Sequence, residues 1–311
     1  MAQPDPEPSA REVAALVALL RYHPERVPWP EIGRQVAEAG SARAVWDGLS
    51  RADSGTEEVD VSPIEQAQAD LRRWRGQGLR VVTVLDPDYP ARLRTIPQPP
   101  PILFCRGVVV PDDRGIAVVG SRGADPEALG FAREVATGLV EQGLSVLSGL
   151  TRGVDAAAHT GALDAGGRTV AFLAGGIRSD YPRESRGLRE RIARQGLVIS
   201  PFWPDAPAQR RTFPVRNAVL SGYASALVVV AGGEASAVRG QVGTAVEQGR
   251  PVVLHLRVAR GTTWGMSLRG RPGISVATTA AEALGAVRAV IRPFEDAVEE
   301  ILRRPGDLPP S

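Results

Sequence analysis

The sequence changes character at Arg80, and from there short apolar runs alternate with stretches of helical spacing. Such alternation is typical of a parallel sheet whose crossover helices cover both of its faces. We therefore predict an α/β fold from this point on. The predicted strands are residues 81–85, 101–107, 116–120, 144–149, 169–175, 196–200, 226–232 and 251–256. The predicted helices lie near residues 126–142, 153–166, 183–195, 215–223 and 239–249.

Before Arg80 the sequence shows helical spacing without strand-like runs. Residues 9–49 have the apolar periodicity of short amphipathic helices, and a further helix is predicted near residues 63–77. The polar and acidic stretch between them, residues 50–62, is interpreted as a linker. We predict a small helical domain with its acidic linker, a sheet domain and a short tail, at residues 1–79, 80–290 and 291–311.

Composition excludes several kinds of site and location. Cys105 is the only cysteine and the three histidines are far apart in the sequence, so we expect neither a disulfide framework nor a metal site. The first twelve residues are acidic and Pro-rich, unlike a secretory signal. No apolar run reaches the roughly 18 residues that a membrane helix needs. The expected location is therefore the cytoplasm.

All 37 basic residues are arginines, because the chain contains no lysine. Schiff-base chemistry is thereby excluded, and any phosphate contact from a basic side chain must come from a guanidinium group. Residues 178–217 carry nine arginines against four acidic residues. This local surplus suits an anionic partner, although four of these arginines also fit the solvated face of a helix.

Glycines and arginines follow several predicted strands at the edge where α/β sheets bind ligands. Glycine lets backbone N–H groups approach a ligand closely, and the start of the next helix favours an anion. A simpler interpretation is that the glycines only make tight turns. Since no turn has the full G-x-G-x-x-G pattern, a dinucleotide cofactor is not expected. The predicted phosphate-binding residues in these turns are Gly120, Ser121, Arg122, Ser148, Gly149, Arg152, Gly153, Gly175 and Gly176.

These turns lie within a longer set of motifs. In chain order the motifs read LDPDYPARLRTIPQPPPILFCRG (85–107), VVGSR (118–122), LSGLTRGVDAAAHTGALDAGGRTVAFLAGGI (147–177), FPVRNAVLSG (213–222) and TAVEQGRPV (244–252). The chain thereby resembles the DNA-processing protein A (DprA/Smf) family over roughly residues 85–255. The SGLxRGxDAAAH block is the most specific part of the match.

The resemblance implies a Rossmann-like sheet preceded by a small helical domain. It also implies a non-enzymatic protein that binds single-stranded DNA, protects it, and loads a RecA-type recombinase onto it. A homodimer is a further implication. By position, Arg216 and Asn217 match the family's F-P-x-R-N element and join the predicted DNA-binding residues. The chain resembles a divergent member that lacks the C-terminal winged-helix domain found in many others.

A rival interpretation rests on the segment from Gly232 to Glu247. The segment loosely resembles an element of nucleoside-monophosphate phosphoribohydrolases, both in the two glycines at its start and in Gly243-Thr244 and Glu247 further on. In such an enzyme Glu247 would activate water or stabilise an oxocarbenium-like centre. The pocket would then serve an enzyme or a non-catalytic nucleotide sensor. The simpler interpretation is that Glu247 is a solvated helix residue.

Overall fold

The structure is a computed structural model that describes residues 10–22, 27–54 and 61–303. The described residues form two compact units. The first unit is taken from Met1–Asp113 and Ala171–Tyr223, and the second from Arg114–Val170 and Ala224–Ser311. The predicted domain boundaries, at residues 1–79, 80–290 and 291–311, stay predictions.

Within the described residues the strands form one nine-stranded sheet of order β1-β2-β6-β5-β4-β3-β7-β8-β9. All eight predicted strands are present, with ends that differ by a few residues. The ninth, β9, was not predicted because it is short and only its last residue is buried. The strands are β1 (Arg80–Thr83), β2 (Ile102–Gly107), β3 (Gly115–Gly120), β4 (Ser145–Ser148), β5 (Thr169–Phe172), β6 (Leu197–Ser200), β7 (Ala226–Ala231), β8 (Val252–His255) and β9 (Ile274–Ala277).

The sheet is mostly parallel, which confirms the predicted α/β fold class with one correction. β3 pairs in parallel with β4 and β7, and β7, β8 and β9 continue in the same sense. β2, however, is antiparallel to both β1 and β6. The connection from β1 to β2 contains only a four-residue helix, α5 (Ala91–Arg94), which is too short to carry the chain back across the sheet.

The helices are distributed over both units. Those of the first unit are α1 (Ala10–Tyr22), α2 (Trp29–Ala39), α3 (Ala42–Ser54), α4 (Ser62–Gly76), α5, α8 (Arg186–Gln195) and α9 (Thr212–Tyr223). Those of the second unit are α6 (Pro126–Glu141), α7 (Val154–Asp164), α10 (Ala237–Glu247), α11 (Leu256–Gly261), α12 (Thr263–Leu268) and α13 (Ala280–Arg303). The predicted linker, residues 50–62, is shorter than expected: α3 extends to Ser54 and α4 begins at Ser62, while residues 55–60 lie outside the described part.

The second unit buries both faces of β3. Ile116 and Val118 of β3 share one apolar cluster with residues of α6, α7 and α13. The residues between and after them on β3, Ala117 and Val119, point to the other face and are also buried. Strands covered on both faces read as continuous apolar runs, which is why β3 and β7 were recognisable in the sequence.

The first unit is held by apolar helices and a group of aromatic rings. Residues Ala14 to Leu20 of α1 are all buried. The ring of Trp203 lies 5.0 Å from Trp29 and 5.9 Å from Phe104, measured between centroids, and the Arg21 guanidinium lies 5.3 Å from the same ring. No helix among the described residues is both long and apolar enough to cross a membrane.

Candidate functional site

Three contacts fix the turn after β3. The Ser121 N–H donates to Ala231 O at 2.9 Å, and the Ser121 hydroxyl accepts from the Gly123 N–H at 3.3 Å. A Cβ on Gly120 would lie 2.6 Å from a methyl group of Val154, so only glycine allows α7 to begin this close to β3. Arg122 is exposed at the tip of the turn.

The turn after β4 contains two residues with positive φ. Leu150 has φ 60° although it is not glycine, and its side chain is completely buried. Gly153 has φ 84°, and a Cβ there would lie 2.4 Å from Ser121 O and 2.7 Å from Arg122 O. The backbones of the β3 and β4 turns are therefore in direct contact at Gly153. Such strained backbone conformations are concentrated at functional sites.

A buried carboxylate fixes the same turn. Asp155, which is 6% exposed, accepts from the Thr151 hydroxyl at 2.8 Å and from the Thr151 N–H at 3.2 Å. Arg152 lies between Thr151 and Gly153 in the chain, and its side chain is exposed. Its guanidinium group is therefore presented on a turn whose backbone is fixed on one side by Asp155 and on the other by the contact at Gly153.

Three further residues near these turns, among them the predicted Ser148 and Gly149, lie in the interior. The buried Ser148 hydroxyl donates to Val118 O at 2.7 Å, which ties β4 to β3, and Gly149 is buried next to it. His159 is also fully buried, with its Nδ1 2.6 Å from the Thr169 hydroxyl. Because that hydroxyl donates its proton to Val146 O, it must accept from His159 Nδ1–H.

Gly175 and Gly176 lie in the first unit, where they allow two backbone segments to approach each other closely. The Gly176 N–H donates to Ala206 O at 2.8 Å, so it already has an acceptor. A Cβ on Gly176 would lie 2.1 Å from Trp203 O, and one on Gly175 would lie 2.9 Å from the Ala208 nitrogen. Both glycines are buried and allow the end of β5 to pack against the segment at residues 203–208. Their predicted phosphate contact stays a prediction.

Helix α9 carries Arg216 and Asn217 in a different setting from the glycine turns. Arg216 is 5% exposed, and its Nη1 donates to Phe172 O at 3.0 Å. Its guanidinium carbon lies 5.8 Å from the Phe213 ring centroid. Asn217 is half-buried. The predicted common rim of Arg122, Arg152 and Arg216 stays a prediction.

Next to Arg216 the first unit exposes aromatic and basic groups. Phe213 is half-buried, and Tyr181, which is 37% exposed, meets it edge to face at 5.9 Å. Arg210 and Arg211 precede α9 and are exposed. Aromatic faces beside arginines are what unpaired bases and their phosphates need.

The sequence did not indicate a cleft of about 530 Å³ in the second unit, beside Ser121 at the carboxyl ends of β3, β7 and β8. Its lining includes Asp125, Glu127, His255 and Arg257. Arg257 bridges Asp125 at 2.9 Å and Glu127 at 3.2 Å. These residues lie far apart in the sequence, so no local motif revealed them.

Local contacts and burial shift the pKa values of two groups in this cleft. The Asp125 carboxylate caps α6 by accepting from the Ala128 N–H at 2.9 Å, and this bond together with Arg257 lowers the pKa of Asp125. Burial lowers the pKa of His255, with a smaller contribution from Arg257 in the same direction. The carboxylates make the cleft a poor site for phosphate.

The structure also bears on the rival interpretation. Gly243 and Thr244 lie inside α10, where the Thr244 hydroxyl donates to Gly240 O at 3.1 Å. Glu247 is an exposed residue at the end of the same helix. This part of the segment is therefore an ordinary helix, whereas Gly232 and Gly233 precede it and line the cleft beside Ser121. Within the described part of the chain, no group of three His, Cys, Asp or Glu residues is arranged to hold a metal ion.

Comparison with known families decides the relationship. The family model described as DNA recombination-mediator protein A matches residues 80–282. This chain belongs to that family. The match spans the turns after β3, β4 and β5, and it includes Arg216 and Asn217 of α9. The resemblance inferred from the motifs is thereby confirmed.

Individual relatives agree with this assignment. The DNA processing protein DprA of Bacillus subtilis is 33% identical over 186 residues, which cover 58% of this chain and 62% of that protein. The chain spans about half the length of the curated relatives it matches.

Two solved structures have the same fold. DNA processing protein A of Streptococcus pneumoniae matches with a TM-score of 0.69 and 24% identity, covering 90% of this chain and 98% of that one. That of Helicobacter pylori, whose structure is described in terms of its single-stranded DNA binding mode, matches with a TM-score of 0.60 and 17% identity, over 68% of this chain and 96% of that one.

Proposed function

We propose that this chain binds single-stranded DNA without sequence preference and acts as a recombination mediator. The observation that carries the proposal is the pair of exposed arginines, Arg122 and Arg152, on turns whose backbones touch at Gly153. Guanidinium groups bind phosphate through two parallel hydrogen bonds, and a fixed backbone reduces the entropy lost on binding. Phosphate contacts carry no sequence information, so the binding is general.

The preference for single strands rests on the aromatic groups of the first unit. Tyr181 and Phe213 are partly exposed beside Arg210 and Arg211. Ring faces can stack only on bases that are not already stacked in a duplex. The H. pylori relative, whose structure is described in terms of its single-stranded DNA binding mode, supports single-stranded DNA as the ligand.

The first test is a fluorescence anisotropy titration with an oligothymidylate of about 20 nucleotides at several salt concentrations. Replacement of Arg122 or Arg152 by alanine removes one charge-assisted hydrogen-bonding group, so we expect affinity to fall about ten- to a hundredfold. The log–log salt slope should become shallower by about 0.7 for each phosphate that is no longer neutralised.

Arg271 provides the matched control. It is exposed in the same unit but lies just before β9, at the amino-terminal edge of the parallel strands. Arg271→Ala should leave both affinity and salt slope unchanged. If Arg122→Ala, Arg152→Ala and Arg271→Ala behave alike, the two turns are not the binding site.

The aromatic contribution has a different signature. Tyr181→Ala should weaken binding to the single strand about tenfold, because base stacking contributes about 1–3 kcal/mol per base. It should leave the salt slope unchanged, since the tyrosine ring neutralises no phosphate. Equal weakening toward duplex DNA would contradict a stacking role.

We further propose that the chain works as a homodimer and loads a RecA-type recombinase onto the strand it protects. This proposal rests on family membership. Sedimentation equilibrium tests the dimer. Recombinase ATPase activity on DNA coated with single-strand-binding protein tests the loading, and we expect this chain to shorten the lag. An unchanged lag would confine its role to binding.

A nucleotide sensor is the weaker second candidate: the volume and place of the cleft beside Ser121 favour it, whereas its carboxylates, Asp125 and Glu127, count against a phosphate there. Its volume falls in the range of small-ligand sites, which also occur at this position in α/β sheets. The two functions differ in their dependence on strand length. A DNA-binding protein gains affinity with longer oligonucleotides, whereas a nucleotide sensor binds a mononucleotide as tightly as a 20-mer.

A further inference from the structure

A second basic surface lies in the first unit, in a part of the chain that the proposed DNA site does not use. It is a groove of about 730 Å³ between α1, α4 and β1. Four arginines line this groove, which we call the arginine groove: Arg11, Arg72, Arg75 and Arg80. All four are exposed.

The charges of the arginine groove are largely uncompensated. Arg80 forms an ion pair with Asp88. Neither Arg72 nor Arg75 takes part in any ion pair between described residues. Asp86 also lines the groove and accepts from the Thr83 N–H and hydroxyl, each at 2.6 Å, but this one carboxylate does not balance four guanidinium groups. The groove therefore has a net positive charge.

The floor of the groove is aliphatic. Val13, Leu71 and Val81 line it and are half-buried, so each still offers apolar surface. On α4, Arg75 is next to both Leu71 and Arg72, because residues three and four apart are neighbours on a helix. An apolar floor between arginines suits a ligand that combines negative charges with aliphatic or aromatic side chains.

We propose that the arginine groove binds an acidic protein segment that carries apolar side chains between its carboxylates. Carboxylates match the planar fork of arginine. Alternate side chains of an extended segment lie about 7 Å apart, close to the roughly 6 Å between Arg72 and Arg75, three apart on a helix. Single-stranded DNA fits less well, since bases stack on aromatic faces and the described residues of the groove are aliphatic or polar.

The test uses the full chain and a fluorescein-labelled peptide of alternating glutamate and leucine. We expect this peptide to bind, while a glutamate–serine peptide and a lysine–leucine peptide do not. Arg72→Glu should weaken binding at least tenfold, as expected when a charge-assisted hydrogen bond is replaced by repulsion. Val81→Thr, which keeps the shape of the side chain, should weaken it severalfold by making the floor polar.

Arg73→Glu is the matched control, because Arg73 is exposed on the same helix but is not among the residues of the groove and pairs instead with Asp70. It should leave peptide binding unchanged. Equal losses with Arg72→Glu and Arg73→Glu would overturn the proposal, as would a wild-type chain that ignores the glutamate–leucine peptide.

Oligothymidylate distinguishes the two macromolecular classes. Arg72→Glu should keep wild-type affinity for the single strand, because no residue of the groove belongs to the turns after β3 and β4. If Arg72→Glu loses DNA but retains the peptide, the groove belongs to a DNA path and the proposal is wrong. A chain that binds the peptide but no DNA would contradict the proposed function and leave this inference intact.

Discussion

Arg152 and Arg216 come from motifs of the same family, yet the structure treats them in opposite ways. Arg152 is exposed on a turn fixed by Asp155 and Gly153. Arg216 is 5% exposed and donates to Phe172 O from inside α9. The first is available to a ligand in the described conformation, whereas the second helps to hold the end of β5.

This difference shows that a motif identifies a residue without stating which of its contacts matter. An exposed arginine contributes little to stability, so its replacement should be seen in binding alone. A buried arginine that is bonded to a carbonyl contributes to both. Measuring stability and DNA affinity together for each variant therefore separates the two situations.

The largest expected effect comes from Gly153→Ala. The new Cβ would lie 2.4 Å from Ser121 O, and φ 84° with ψ −131° is open essentially only to glycine. We expect about 3 kcal/mol lower unfolding free energy and at least tenfold weaker DNA binding, because both turns must move. Urea denaturation and anisotropy measure the two quantities.

Gly123→Ala is the control for this change. Gly123 is exposed in the neighbouring turn, and no atom lies within 4 Å of the Cβ it would gain. Its stability should stay within about 0.5 kcal/mol of the wild type. A Gly153→Ala variant with normal stability and affinity would show that contact between the two turns is not required.

The second expected effect contrasts the two arginines directly. Arg216→Ala removes a charged donor and leaves the buried Phe172 carbonyl with one bond fewer, at a cost of about 1–3 kcal/mol. Arg152→Ala should change stability by no more than about 0.5 kcal/mol while it weakens DNA binding. Thermal unfolding monitored by circular dichroism measures the stabilities. Equal melting temperatures for both variants would erase the distinction between the two regions.

Some of this arrangement could be predicted from the sequence, and physical reasons explain what could not. β3 and β7 were predicted because burial on both faces leaves an unbroken apolar run. The antiparallel course of β2 was missed, since a strand's direction depends on its partners and not on its own residues. The burial of Arg216 and the meeting of Asp125 with Arg257 arise from tertiary packing and leave no local pattern.

A smaller effect is expected from changes to Asp155, which accepts two hydrogen bonds from Thr151 in the turn that carries Arg152. Asp155→Asn keeps one oxygen that can accept from the Thr151 N–H or hydroxyl but removes the charge, so stability should fall by about 1 kcal/mol. Asp155→Ala should cost more, because both Thr151 donors lose this acceptor. If Asp155 orients Arg152, DNA affinity should fall in the order wild type, Asn, Ala. Unchanged affinity in both variants would limit Asp155 to a structural role.

The smallest expected effect concerns how stability depends on pH at the cleft beside Ser121. In this cleft the carboxylates are paired with Arg257, whereas the arginines of the two turns are exposed. Burial lowers the pKa of His255 below that of the unfolded chain, about 6.5. The unfolded state therefore takes up a proton first as pH falls, so stability decreases below about pH 6.5 and approaches a plateau once the folded state is also protonated.

His255→Asn should flatten this part of the stability profile, while the Asn oxygen can still accept from the Arg257 N–H that now donates to His255 Nδ1. Urea titrations of both proteins between pH 5 and 8 measure the difference. Parallel profiles would show that another group causes the loss of stability at low pH. DNA affinity should respond alike in both proteins, because the cleft contributes no phosphate contact, and a selective change in the variant would place His255 within reach of the bound strand.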